Sequence, residues 1–104
     1  MKQVPDITNT DYWFKVVDFL QQNWGVIEPS ESGCTVYFFE DTSGIFDQLN
    51  FSSISDAKAA LKRNGFSRFE EDKEAQEVIA KPEQPFRMQA HPNGFIYSSG
   101  RYWR

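Results

Sequence analysis

The residue types best suited to contact another molecule are concentrated near the C-terminal end of the sequence. Four aromatic residues stand there among three basic or titratable ones, His91, Arg101 and Arg104. Tyr, Trp and Arg are enriched at the energetic centres of protein interfaces, and a guanidinium beside aromatic rings can also stack on a planar ligand. The candidate binding residues are His91, Tyr97, Arg101, Tyr102, Trp103 and Arg104, with Phe95 beside them.

The charge of the chain is divided between two regions. Residues 84–104 contain Arg87, Arg101 and Arg104 and no acid, whereas residues 1–83 hold 8 basic and 15 acidic side chains. Such asymmetry bears on partners rather than on fold. Two alternatives follow for residues 95–104: they cover the second apolar face of the sheet, with their positive charge on the acidic body, or they form a surface that binds a partner.

Cys34 and His91 are the one thiol and the one imidazole in the sequence. Nucleophilic catalysis would need them within hydrogen-bonding distance, with a third group orienting the imidazole. Cys34 begins an apolar strand, where cysteine usually behaves as a small buried residue. We therefore expect a structural role for Cys34. One Cys and one His also cannot complete a structural zinc site, and a single Cys forms no internal disulfide.

Motifs for other common chemistries are missing from the sequence. There is no glycine-rich phosphate loop, no Gly-x-Ser-x-Gly nucleophile elbow and no acidic loop with calcium-binding spacing. We expect no cofactor, no metal site and no enzymatic activity.

The spacing of apolar residues and the helix-capping signals predict two helices and a shorter third. Trp13, Val16, Val17, Leu20 and Trp24 recur at helical spacing, which predicts a first helix over residues 11–24 that ends at Gly25. The second helix is predicted to begin at Ser53 or Ser55 and to stop at Asn64-Gly65. A short third helix is predicted near residues 71–80, with an acidic first turn suited to a helix N-terminus.

Three strands are predicted between the first two helices. A short strand over 26–28 precedes a turn at 29–33, and the strongest strand signal follows over 34–40. In that strand Cys34, Val36 and Phe38 alternate with Thr35, Tyr37 and Phe39, so both faces are largely apolar and both need a cover. A turn over 41–44 leads to a third strand over 45–51, with Ile45, Leu49 and Phe51 on one face.

These elements predict an α+β fold: a three-stranded antiparallel sheet with two main helices packed on it in the order α-β-β-β-α, a short third helix and an irregular C-terminal segment. The order resembles that of double-stranded-RNA-binding domains. That family binds phosphates with a basic start to its second helix, whereas residues 53–56 here, Ser-Ile-Ser-Asp, include no basic residue. Nucleic-acid binding is therefore not expected.

We expect one domain over residues 1–104, with a loose N-terminal arm at 1–9 and the basic aromatic segment at 84–104. No secretory signal or membrane span is visible, which favours the cytoplasm. The functional hypothesis is a non-enzymatic protein-interaction module that binds a partner or a second copy of itself. It would use residues 95–104 or an open face of strand 34–40. The alternative is a small-molecule or nucleotide-binding domain that uses His91, Tyr97, Arg101 and Trp103.

Overall fold

A mixed β-sheet organises the chain. The computed structural model describes residues 5–18 and 21–88. In chain order its elements are β1 (Trp13–Asp18), β2 (Gln21–Ser30), β3 (Gly33–Glu40), β4 (Gly44–Phe51), α1 (Ile54–Arg63), β5 (Ser67–Arg68), a 3-10 turn (Phe69–Glu71), α2 (Lys73–Val78) and β6 (Arg87–Met88). The six strands lie in the order β5-β1-β2-β3-β4-β6. All neighbours are antiparallel except β4 and β6, which are parallel.

This architecture corrects the predicted fold class. The sequence predicts a three-stranded antiparallel sheet in the order α-β-β-β-α, whereas the described residues form a six-stranded mixed sheet with two helices. The predicted first helix over 11–24 is wrong: within that range, residues 13–18 form β1 and residues 21–24 form the start of β2. Without that helix the element order no longer resembles a double-stranded-RNA-binding domain.

The physical reason for the error is that both faces of the sheet are covered. Trp13 and Phe14 are neighbours in β1, and they point to opposite faces into two different apolar clusters. Where a strand is buried on both sides, as at Trp13 and Phe14, consecutive residues are apolar, and such a run can also satisfy helical spacing.

One face of the sheet, which we call the α1 face, is covered by α1. Ala57, Ala60 and Leu61 of α1 are buried there against Phe38 of β3 and other sheet residues. Ser53 caps this helix, because its side chain accepts a hydrogen bond from the backbone N of Asp56 at 3.1 Å. The predicted second helix and its N-cap are confirmed.

The opposite face, which we call the α2 face, is covered by α2 and by irregular chain on either side of it. Trp24 of β2 is fully buried there, together with Phe14, Phe39, Phe69 and Phe86. The rings of Phe39 and Phe86 meet edge to face, with centroids 4.8 Å apart. Such pairs contribute about 0.5–1.5 kcal/mol beyond the burial of their area.

The central strand β3 confirms the two-sided pattern predicted for residues 34–40. Cys34, Val36 and Phe38 are buried in the cluster of the α1 face, while Phe39 is buried in that of the α2 face, with Tyr37 packed beside it. Both covers come from this chain. The hypothesis that an open face of this strand binds a partner is therefore not supported.

A β-bulge in β4 changes which side chains share a face. Phe38 of β3 pairs with Asp47, and the next residue, Phe39, pairs with Ile45, so Phe46 is an extra residue in β4. Ile45 consequently lies on the α2 face, whereas Leu49 and Phe51 pack on the α1 face. The prediction that Ile45 shares a face with Leu49 and Phe51 is wrong for this reason.

The segment before β1 has no regular secondary structure, but it is bound to the sheet. Ile7 is buried in the cluster of the α2 face. The backbone N atoms of Thr8 and Asn9 each donate to Glu28 Oε1 at 2.7 Å. Within the described ranges, the helices are all too short and too polar to cross a bilayer.

Candidate functional site

The six binding residues predicted from the sequence lie outside the described residues. They are His91, Tyr97, Arg101, Tyr102, Trp103 and Arg104, and Phe95 lies outside as well. Their grouping into a site therefore stays a prediction. The described residues hold a different candidate, which the sequence reasoning did not identify.

That candidate is a groove between the end of β1 and α2, with a cavity volume of about 580 Å³. Phe14 and Ala75 are the buried side chains at its base, and Ile79 is half-buried beside them. Val16 and Val78 stand at its margins and are 60% and 79% exposed. We call this surface the β1–α2 groove. Its base belongs to the covered α2 face, whereas its margins leave apolar surface in contact with water.

Strand alternation explains the positions of the β1 residues. Phe14 and Val16 are two residues apart and project to the same face, whereas Val17 is the extra residue at an irregularity of the β1–β2 ladder. In the β1–β2 ladder Val16 pairs with Gln22, which also lines the groove. Two facing strand positions thus form one wall.

The second wall is set by the start of α2. The Asp72 side chain caps this helix by accepting a hydrogen bond from the backbone N of Ala75 at 3.0 Å. Ala75 is turned towards the sheet, and Val78, three residues later, is exposed at the margin. The short predicted third helix is confirmed, with bounds Lys73–Val78.

Gln22 is a buried polar residue within the groove. It is 7% exposed, and its position opposite Val16 directs its side chain to the α2 face. Its backbone N donates to Asp41 Oδ2 at 3.0 Å, but its carboxamide forms no hydrogen bond with any residue in 5–18 or 21–88. A buried polar group without a partner costs about 1–3 kcal/mol. A ligand in the groove could satisfy this carboxamide.

The groove has an acidic margin. Asp72, Glu74 and Glu77 line it, and no basic residue does. Asp72 is occupied in capping α2. The carboxylates of Glu74 and Glu77, by contrast, form no ion pair with any part of the chain that the structure describes. The margin is therefore suited to cationic groups on a ligand.

A second cavity, of about 610 Å³, differs because charged side chains of both signs line it. It lies between Trp13, Arg68 and Glu71. The guanidinium of Arg68 binds Asp11 at 2.8 Å and Glu71 at 3.1 Å. The hydrogen bonds that Arg68 donates to Asp11 and then to Glu71 raise the pKa of Arg68 further above its usual value. Lys62 and Lys73 also line this cavity, whereas the charged residues that line the β1–α2 groove are all acidic.

The described residues offer no obvious catalytic group. Cys34 is buried, as predicted, and its Sγ donates to the backbone O of Ser53 at 3.4 Å. Burial, with a smaller contribution from the negative charge of Asp56, raises the pKa of the Cys34 thiol and so disfavours the reactive thiolate. Over residues 5–18 and 21–88, no group of three His, Cys, Asp or Glu side chains could hold a metal ion.

Sequence reasoning missed the groove because its elements were misassigned. The predicted helix over 11–24 places Val16 on its apolar face and Gln22 on its polar side. In the structure the two residues pair with each other across the β1–β2 ladder. The signal that could have identified a strand was the density of β-branched and aromatic residues over 12–17. No family model, curated protein or solved structure matches the chain.

Proposed function

We propose that this chain is a non-enzymatic protein-interaction module, and that the β1–α2 groove is the surface with which it binds a short segment of a partner protein. The observation that carries the proposal is the exposure of Val16 and Val78, at 60% and 79%, on opposite margins of one groove. Isolated exposed valines are common on protein surfaces. Here the two valines flank a groove with a buried apolar base. An apolar side chain of a partner bound in this groove would remove both valines from water.

The size of the groove supports a side chain or a short segment as the ligand. A volume of about 580 Å³ lies within the range of about 300–1,000 Å³ typical of ligand pockets. Burying apolar surface contributes about 25 cal/mol per Å². One large apolar side chain inserted between the valines would therefore anchor the segment.

The test uses a neutral apolar probe, N-acetyl-tryptophanamide, added to the full ¹⁵N-labelled chain. We expect saturable shifts of the backbone amide signals of Val16, Val78 and their neighbours in β1, β2 and α2. Val16→Thr should weaken this binding about fivefold, the equivalent of about 1 kcal/mol of lost apolar contact.

The chain supplies a matched control at the adjacent residue. Val17 is also a half-exposed valine of β1, at 46%, but it does not line the groove. Val17→Thr should leave probe binding unchanged. A second pair is Val78→Gln in the groove and Ile54→Gln on α1, where Ile54 is 41% exposed. Equal losses in both members of either pair, or shifts scattered over both faces, would refute the assignment of the groove.

A further inference from the structure

We propose that the partner segment carries Arg or Lys beside its apolar anchor, and that the Gln22 carboxamide binds the segment's main chain. This inference rests on the proposed function and gives its ligand a chemical class. It is drawn from two independent features of the β1–α2 groove: the acidic margin and the buried carboxamide without a partner.

The acidic margin selects for cationic segments. Glu74 and Glu77 lie on exposed positions of α2 and form no ion pair within the described ranges, and no base lines the groove. Exposed ion pairs are individually weak. Two of them beside a bound anchor should raise affinity about fivefold over a neutral segment, and the increase should shrink as salt is added.

The same charges disfavour anionic ligands. Nucleic-acid binding depends on cationic side chains that neutralise phosphates. A margin of three carboxylates without a base would instead repel a phosphate backbone. Among macromolecules, a basic protein segment is therefore the class that the groove favours.

Gln22 points to a ligand with both a hydrogen-bond donor and an acceptor. Its carboxamide offers two N–H donors and one carbonyl oxygen. It is more than nine-tenths buried and without a hydrogen-bonding partner in the described part of the chain. A peptide group presents a complementary N–H and C=O pair. A segment whose apolar anchor lies against Phe14 and Ala75 would place its main chain next to this carboxamide, because all three residues line the groove.

Three pentapeptides test the charge requirement on the full chain: acetyl-Arg-Ser-Trp-Ser-Arg-amide and its counterparts with Gln or Glu in place of both Arg residues. We expect dissociation constants to rise about fivefold from the Arg to the Gln peptide and again to the Glu peptide. Replacing both Glu74 and Glu77 with Gln should abolish this order. Glu31→Gln, at an exposed acid in the β2–β3 turn, should preserve it.

A second experiment tests the carboxamide. Gln22→Met keeps a side chain of similar length without hydrogen-bonding groups, so it should leave the free chain at least as stable while weakening the Arg peptide about fivefold. N-methylation of the peptide at its Trp amide should weaken binding to the unaltered chain. It should weaken binding to the Gln22→Met variant much less, because the hydrogen bond is already absent. Equal losses from N-methylation in the two proteins would overturn the role given to Gln22.

The outcomes separate this inference from the proposed function. If the three peptides bind equally well, the charge requirement is refuted while the groove stands as a binding surface. If none binds, and N-acetyl-tryptophanamide does not bind either, both proposals fail.

If the Arg peptide binds only after Arg101 and Arg104 are replaced with Gln, the chain's own residues are the occupant. If it binds only by dissociating a dimer, the occupant is a second copy. Either result would overturn a separate partner.

Discussion

Replacing Asp41 with Ala removes a carboxylate that serves two elements at once. Asp41 lies in the turn between β3 and β4. Its Oδ1 accepts a hydrogen bond from Trp24 Nε1 at 2.8 Å, and its Oδ2 accepts one from the backbone N of Gln22 at 3.0 Å. Trp24 is fully buried in the cluster of the α2 face. The turn therefore holds both the largest side chain of that cluster and the polar residue of the β1–α2 groove.

The expected loss follows from these two bonds. Hydrogen bonds to charged groups contribute about 1.5–3 kcal/mol each, and a buried donor left without an acceptor costs a similar amount. The two bonds share one carboxylate and are not fully additive. We therefore expect Asp41→Ala to lower the free energy of unfolding by about 2–4 kcal/mol. Asp41→Asn keeps one acceptor oxygen without the charge and should lose about half as much.

Urea unfolding followed by far-ultraviolet circular dichroism measures this difference. Glu31→Ala is the matched control, because Glu31 is an exposed acid in the preceding hairpin turn. Its effect should stay within about 0.5 kcal/mol. A loss below about 1 kcal/mol for Asp41→Ala would refute the reasoning, as would equal losses for the Ala and Asn variants. The backbone amide signal of Gln22 should shift in both variants and not in the control.

Three further predictions concern the backbone and two titratable groups. Gly33→Ala should lower the free energy of unfolding by more than about 2 kcal/mol in thermal melts, since Gly33 has a φ of +147° and an added Cβ would overlap the backbone O of Phe51; a loss under about 1 kcal/mol would contradict this. Cys34 should react with iodoacetamide at pH 8 about a hundredfold more slowly in the folded chain than in urea, because burial and then Asp56 raise the pKa of its thiol; comparable rates would show the thiol to be accessible. Burial raises the pKa of Tyr12 above its ordinary value of 10.0, so the stability that its neutral phenol contributes is complete below pH 10 and lost as the pH rises further. Urea midpoints above pH 10 should therefore fall more steeply for the unaltered chain than for Tyr12→Phe, and parallel curves would contradict the assignment.

The second helix and the central strand were predicted correctly because the signals for each are local in the sequence. The second helix is specified by the Ser53 cap at its start and by Asn64-Gly65 at its end, and it spans Ile54–Arg63 in the structure. The strand predicted over 34–40 corresponds to Gly33–Glu40. The alternation of its side chains predicted this strand correctly because the residues on each of its two faces are largely apolar.

The segment over 11–24 could not be assigned from spacing alone. Trp13 of β1 pairs with Gly25 of the neighbouring β2 on one side, but its partner on the other side, Arg68 of β5, is distant in sequence. Gly25 was expected to end a helix, yet it lies inside β2, with Leu61 Cδ2 only 3.5 Å from where a Cβ would stand. The close approach of α1 to this strand is a tertiary constraint, and local propensity cannot reveal it.

The candidate groove was equally hidden, because it depends on packing between elements. Val78 lies close to the apolar residues Ala75 and Ile79 in the sequence, and only the packing of α2 on the sheet determines that Val78 faces water. In the sequence Gln22 resembles an ordinary surface residue. It is buried because of the position that its pairing with Val16 in the β1–β2 ladder gives it. The sequence prediction for residues 91–104 is independent of this groove and stays a prediction.

The order of strands in the sheet has a consequence for how the chain folds. Strands β1 to β4 follow one another as a meander of tight hairpins, so each pairing closes a short loop. The outer strands are different. Between β1 and its partner β5 the chain forms three strands and α1, and between β4 and its partner β6 it forms α1, β5 and α2. Closing such long loops costs more entropy and slows the search for the native pairing. We therefore expect the meander to form first and both outer strands to dock late, so that the wall of the groove on β1 forms before α2 completes it.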